Sequence, residues 1–449
     1  MLFKKLQLSN YKAFDDVTFS LTSKKNTPKQ IAIIYGANGS GKSTILEAFA
    51  TLNDLLKTKD ITNTLDSIRD KISNSTNLNK DEIGELSRFL SRNATSISEI
   101  YAKIKGTAPD KPTTIFLEFE ENGYNGSYEI SLQDGLIIYE ELKYLITKNK
   151  GCFFRIEKGK TYINENVFLD RNVRKSLRDL LNQSWGIHSF FSLIKNEIQN
   201  YNEDYKKKAL IENYLRLVKN FDMFSYRICN LANAVEYHSK TSSYILSHIS
   251  NGYIDRTTKK ELKKTERFLS QILKPFIDDF VKAEYYTDER SYKLYLIKRI
   301  NNKEIPIDYI SESSGSKELI RILPFIIKAM SGEIVVLDEY ANHMHDVLSL
   351  EFLNLIIPLI KGQLIISTHS TVLLNLLNDE YSDSFYFINV NQSKRGIKCI
   401  DEIEPRLRKE YNYQKKYLFD SLYSHYRNTS EKSLKELDVS NWKTIKNEP

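Results

Sequence analysis

The chain has 449 residues, with 65 basic against 58 acidic side chains, a formal charge of +7, and 41% hydrophobic and 12% aromatic residues. This is a globular composition with length for two or three domains, and its mildly basic balance permits nucleic-acid contact without demanding it. No run approaches the roughly eighteen consecutive apolar residues of a membrane span, and Met1-Leu2-Phe3-Lys4-Lys5-Leu6-Gln7 alternates where a signal peptide would be continuously apolar. The expectation is a cytoplasmic protein without membrane association. Cys152, Cys229 and Cys399 are far apart and form no metal-ligand spacing, which fits a reducing compartment.

Leu6 and Leu8, a turn at Ser9-Asn10-Tyr11-Lys12, then Val17, Phe19 and Leu21 predict two strands. The apolar run Ile31-Ala32-Ile33-Ile34-Tyr35 predicts a buried third. It delivers the chain to Gly36-Ala37-Asn38-Gly39-Ser40-Gly41-Lys42-Ser43, and Thr44 to Ala50 continues as a helix. Residues 51–109 are dominated by Ser, Thr, Asn, Asp and Lys, with Leu86, Phe89, Leu90, Ile97 and Ile100 at helical spacing, which predicts solvent-exposed helices. From Thr113 the pattern turns to strands: Ile115, Leu117 and Phe119 alternate, Asn122-Gly123 supplies a hairpin turn, and Tyr128, Ile130 and Leu132 return. A second hairpin is expected through Ile137, Tyr139 and 152–163.

Residues 170–284 read as almost entirely helical, with Leu262, Leu269, Ile272, Leu273 and Phe276 on one face. The basic clusters Lys206-Lys207-Lys208 and Lys259 to Lys264 in this stretch read as solvated helix faces. Alternation resumes at Tyr292, Leu294 and Leu296. A helix-like run, Glu318 to Met330, follows the Ser/Gly-rich turn 311–317, and Ile334 to Leu337 is a buried strand ending in Asp338-Glu339. Leu348 to Ile360 reads as one crossover helix, leading to the buried strand Gln363–Ser367 and His369. The tail after about residue 428 is polar.

The strand, Gly-rich turn and helix at 31–50 are the setting of a phosphate-binding loop. Backbone N–H groups of residues 36–44 would surround the phosphates, the helix N-terminus would face them, Lys42 would add charge, and Ser43 would offer a hydroxyl to Mg²⁺. Asp338 would hold Mg²⁺, and Glu339 would polarise the attacking water as general base. His369, 30 residues after Glu339 in the order acid, helix, strand, histidine, is placed to sense the γ-phosphate. The turn at Ser313-Ser314-Gly315 offers hydroxyl and N–H donors to an anion, or serves as an ordinary helix cap.

In this combination the chain resembles the ABC-type ATPase heads of the SMC and RecF class, and more closely the phage-defence ATPases that share that head, such as abortive-infection, OLD-like, Septu and PARIS ATPases. The resemblance lies in residues 1–55, roughly 110–165 and 285 to about 420. It implies an α/β P-loop NTPase fold, an ABC-type head formed by 1–55, 110–165 and 285–449 with an antiparallel β subdomain, and a largely helical insertion at 56–109 and 166–284.

Leu6 to Phe14 is similar to the family's opening. Ser313 matches the signature-loop serine that meets the γ-phosphate of a nucleotide bound to another subunit. His345 resembles the histidine of a Leu-His-Pro step in which Asp346 here replaces proline, and Asn412 and Tyr417 resemble a C-terminal element. The resemblance implies ATP and Mg²⁺ as cofactors and a homodimer or higher homo-oligomer that sandwiches ATP.

Three functions follow from it. The first is an ATP-dependent defence sensor or scaffold controlling a separate effector, a nuclease, with DNA or a phage protein as trigger. Only 80 residues follow His369, without an acidic cluster for a two-metal site, so the nuclease would be a partner. The second is a RecF- or SMC-like repair ATPase that clamps DNA. The third is a nucleotide-binding structural protein that scarcely hydrolyses ATP.

Overall fold

The computed structural model describes residues 1–74, 96–229, 234–239, 248–254, 258–289, 291–378, 381–391, 394–403, 414 and 417. Leu86, Phe89 and Leu90 of the polar region, Asn412, and the tail after residue 428 lie outside the described residues.

Alternation of apolar and polar residues makes the first lobe. β1 (Leu2–Tyr11), β2 (Phe14–Ser20), β4 (Thr113–Glu121), β5 (Tyr124–Gln133), β6 (Leu136–Leu145), β7 (Lys150–Glu157) and β8 (Lys160–Ile163) form an antiparallel sheet in the order β2-β1-β4-β5-β6-β7-β8. The hairpin turn is where Asn122-Gly123 predicts it, with φ of 51° and 78°. Ile97, Ile100 and Ile104 of the helix Ile97–Ile104 are buried, so this helix of the polar region packs on the core by one face while the other meets solvent.

The second sheet carries the continuous apolar runs. Its order is β10 (Ala234–Tyr237), β9 (Phe224–Cys229), β15 (Ile334–Leu337), β16 (Gln363–Ser367), β3 (Ile31–Tyr35), β17 (Phe385–Asn391) and β18 (Lys394–Cys399). The five inner strands are parallel, and β10 and β18 pair antiparallel at the edges. Every residue of β3, β15 and β16 is buried, as expected of strands covered on both faces. A third sheet, β11 (Asn251–Tyr253), β13 (Ser291–Ile300), β12 (Phe280–Thr287) and β14 (Lys303–Asp308), packs against the helix Thr258–Leu273.

The helical reading of 170–284 is corrected here. Phe224–Cys229 is a strand that pairs with β15 at one end of the five parallel strands, and β10, β11 and the start of β12 also fall in this stretch. Phe224, Tyr226 and Ile228 alternate with Ser225 and Arg227, but six residues between helical stretches are too short a window to stand out, and β15 supplies the edge that fixes them as a strand. β17 and β18 are likewise additions to the elements read from the sequence.

A buried carboxylate ties the helix Phe190–Gln199 to the antiparallel lobe. Glu140 of β6, fully buried, accepts the backbone N–H groups of Phe190 at 2.5 Å and Phe191 at 2.9 Å and the Tyr128 hydroxyl at 2.9 Å. It thereby caps the helix Phe190–Gln199, and burial pushes its carboxyl up to about 7 against those three donors. No helix among the described residues is long and apolar enough to cross a membrane. A parallel sheet with a Gly-rich strand-to-helix loop, joined to an antiparallel β lobe, is an α/β architecture of the P-loop kind.

Candidate nucleotide site

In a parallel sheet the loops that follow adjacent strands share one edge. β15, β16 and β3 are consecutive, so Asp338-Glu339, His369 and the loop Gly36–Ser43 all emerge on the same edge. Neighbouring strands lie about 4.8 Å apart, which puts the Asp338 strand roughly 10 Å from the loop strand across β16.

The loop is shaped by its glycines. Gly41 has φ +112° and caps the helix Lys42–Leu55 without any side-chain hydrogen bond, and no acidic residue lies in the first turn. The leading N–H groups are therefore left for an anion rather than satisfied internally. A Cβ on Gly41 would stand 2.7 Å from Phe14 Cζ, and one on Gly36 would stand 2.4 Å from Ser40 Oγ. Gly39, with φ +75°, has open space around it. Ala37 is half-buried, Asn38 is exposed, and Ser43 and Thr44 are half-buried at the helix start.

Lys42 is buried, and its ammonium donates to the carbonyls of Gly36 at 2.6 Å and Ala37 at 3.2 Å. Desolvation pushes it down to about 8, against the upward pull of Asp338 and then Glu339. Ser40 Oγ is buried without a hydrogen-bond partner among the described residues.

Asp338 is 0% exposed. Its Oδ1 accepts from Ser367 Oγ at 2.5 Å, while Oδ2 has no hydrogen-bond partner among the described residues. A buried carboxylate oxygen left unpaired is costly, and a cation removes that cost. The donor set of Asp338 Oδ2 with the Ser43 hydroxyl, both hard oxygens, fits Mg²⁺.

Glu339 sits in the left-handed region at φ +52°, followed by Ala341 at +65°. The conformation is held from two sides: its N–H donates to Ser367 Oγ at 2.9 Å, and Asn342 Nδ2 donates to its Oε2 at 2.8 Å. The imidazole of His369 is at the surface. Desolvation and then the Lys42 ammonium push its titration down, and Asp338 opposes them. Lys42 thus interacts electrostatically with Asp338, Glu339 and His369.

Ser313 stands apart from it. It caps the helix Ser314–Met330, its Oγ accepting the Ser316 N–H at 3.2 Å. This helix leads directly into β15, so its start lies on the loop edge of the sheet. At 1.5 Å per residue its seventeen residues run about 25 Å, roughly twice the length of four-residue β15, so Ser313 stands beyond the strand tips. Among the described residues no hydrogen bond joins Ser313, Ser314 or Gly315 to residues 36–44. A Cβ on Gly315 would lie 3.3 Å from the His343 carbonyl, so the helix start rests on the loop that follows Glu339.

His345 caps the helix Asp346–Ile356 through Nδ1, and Asp346 Oδ1 accepts from Ser370 Oγ at 2.7 Å, tying that loop to the His369 segment. Tyr417 rests edge-on against Tyr35 at 5.4 Å between ring centres.

Through one hydroxyl Ser367 donates to the Asp338 carboxylate and accepts from the Glu339 backbone N–H, and no motif in the sequence marks it. Its signal is a hydroxyl residue closing an otherwise apolar parallel strand.

Residues 31–375 match the family described as "AAA domain, putative AbiEii toxin, Type IV TA system", and residues 1–60 match a second AAA domain family. The first match runs through 166–284 as well. A curated relative, "Retron Vc95 probable ATPase" of Vibrio cholerae serotype O1 biovar El Tor, is 23% identical over 401 residues, which cover 84% of this chain and 73% of that protein. Solved structures that align with it include "Crystal structure of the SmcHead bound to the C-winged helix domain of ScpA", at 14% identity and TM-score 0.43, covering 89% of this chain and 98% of that one. A second is "SMC head domain from Thermotoga maritima", at 15% identity and TM-score 0.38, covering 89% and 99%.

Proposed function

The chain belongs to the AAA-domain family described as putative AbiEii toxin, Type IV TA system, and is an ATPase; on that premise we propose that it hydrolyses MgATP between two copies of itself and thereby controls a separate effector in phage defence. The observation that carries the site is the unpartnered, buried Oδ2 of Asp338 on the edge shared with the loop Gly36–Ser43. The loop N–H groups and Lys42 hold the phosphates, and Ser43 and Asp338 hold Mg²⁺. The metal supplies charge neutralisation on the phosphate oxygens when bound.

Glu339 takes a proton from the water that attacks the γ-phosphorus, and His369 faces the same phosphate. Ser313, standing beyond the strand tips of its own copy, meets the nucleotide held by the other copy. ATP then adds contacts only in the closed dimer, and hydrolysis removes them. The defence setting is supported by the family description and by the relative's name, which sets an ATPase in a retron. The effector, a nuclease on this reading, is a separate chain.

Glu339→Gln tests the proposal. The variant is expected to bind ATP, sediment as a dimer in its presence, and lose turnover by about a hundredfold or more. Turnover at the wild-type rate would remove Glu339 from the mechanism. In cells carrying the neighbouring genes, the same variant is expected to change plaque counts, and counts identical to wild type would remove the link between the cycle and defence.

A further inference from the structure

One buried ion pair in the fold has no part in holding nucleotide. Arg227 of β9 lies opposite Leu337 in the parallel register, and its carbonyl accepts the Asp338 backbone N–H at 2.8 Å. Its side chain passes to the helix Ser314–Met330. There Nη1 and Nη2 donate to Glu318 Oε1 at 2.6 Å and Oε2 at 3.1 Å. Arg227 is 4% exposed and Glu318 1%.

Around them Glu236 Oε1 of β10 lies 3.4 Å from Arg227 Nε, and Arg321 Nη1 lies 3.6 Å from Glu318 Oε2. Charges therefore alternate from the sheet edge to the helix surface. One residue thus bonds the metal-site aspartate through its backbone and the first turns of the Ser313 helix through its side chain.

From this geometry we infer that Arg227 is a positioning residue: it holds the Ser313 helix in register with Asp338, so that the turn offered to a partner copy moves with the strand end that faces MgATP. Burying two charges is a poor way merely to fasten a helix, because an apolar pair of similar volume holds it as well or better. What the two-pronged Arg–Glu contact adds is direction, fixing angle as well as distance. Only apposition to a second copy needs that direction, since Ser313 must meet a phosphate within hydrogen-bond reach and a misplacement of about 1 Å can cost a hundredfold in rate. The close approach of Gly315 to the His343 carbonyl is a second link between the same helix start and the segment after Glu339.

The inference rests on the ATP-site reading above, and its test separates the two. In the full-length protein, Arg227→Lys keeps the charge and loses the fork, and Arg227→Met with Glu318→Leu replaces the pair by apolar groups. Thermal melting, ATP binding by equilibrium titration, and kcat and KM are measured for each.

The lysine variant is expected to keep ATP affinity and KM within about threefold and to lose kcat by about tenfold or more. The apolar double variant is expected to melt at or above the wild-type temperature and still show the low kcat. Wild-type kcat in the double variant would overturn the inference, because the pair would then be a fastener only. Wild-type kcat in Arg227→Lys would overturn it equally. Glu339→Gln run alongside reports on the site itself: if that variant turns over normally, the catalytic reading fails whatever Arg227 does.

Discussion

Ser367→Ala removes one oxygen atom from the centre of the candidate site, and the structure sets the size of the effect. Asp338 Oδ1 loses a 2.5 Å bond from a hydroxyl, leaving both oxygens of a fully buried carboxylate without a donor. A hydrogen bond to a charged group contributes about 1.5–3 kcal/mol. The Glu339 N–H loses its acceptor at 2.9 Å, which adds about 1–2 kcal/mol for a half-buried group. With partial replacement by water the total is about 3 kcal/mol. If 449 residues unfold together at about 2.1 cal/mol/K each, the unfolding entropy is about 0.9 kcal/mol/K, and the melting temperature falls by about 3 °C.

The larger effect is expected on turnover. Glu339 occupies a left-handed conformation that a non-glycine residue does not hold unaided, and Ser367 is one of its two anchors. Turnover is expected to fall at least about tenfold, while ATP binding, which depends on Lys42 and the loop, stays near wild type. Differential scanning fluorimetry and a coupled phosphate-release assay read both quantities. A variant with wild-type melting and wild-type kcat would refute the role given to the Ser367 hydroxyl.

Two further predictions follow from the loop. Gly41→Ala puts a Cβ 2.7 Å from the ring of buried Phe14 at φ +112°, whereas Gly39→Ala meets open space and carries only the left-handed backbone strain of about 1–2 kcal/mol. The first is expected to abolish ATP binding and lower the melting temperature more than the second; equal shifts would show that Phe14 does not set the loop. Lys42, with its folded value pushed down to about 8 from 10.5, is protonated and able to pair with phosphate at pH 7 and largely neutral at pH 9. In the free protein between pH 8 and 10.5 the unfolded chain holds this proton and the folded chain does not. Through this group stability therefore rises with pH across that window. ATP affinity runs the other way, weakening up to about tenfold per unit above pH 8. A titration with a fluorescent ATP analogue from pH 7 to 9 checks this, and a flat profile would contradict it.

The loop Gly36–Ser43 and the strands ending at Asp338 and Ser367 are legible in the chain because each depends on local chemistry: a five-residue apolar run, glycines where φ must be positive, acids at a strand tip. The hairpin at Asn122-Gly123 is legible for the same reason. β9 is not. Its six residues alternate, but over a window too short to stand out between helical stretches, and they become a strand because β15, more than a hundred residues later, offers an edge to pair with.

Contacts of that separation cannot be read from a window of sequence. The Arg227–Glu318 pair spans 91 residues, and the Ser367 hydroxyl reaches back 29 to Asp338. The sequence by itself determined which residues could bind phosphate, hold a metal ion and move a proton, since those capacities belong to side-chain type and local backbone freedom. Only the tertiary structure decided which of them share an edge, which carboxylate oxygen is left without a partner, and which arginine joins that edge to the Ser313 helix. Those properties arise from strand order and burial, and both are set by pairings between segments that are distant in the chain.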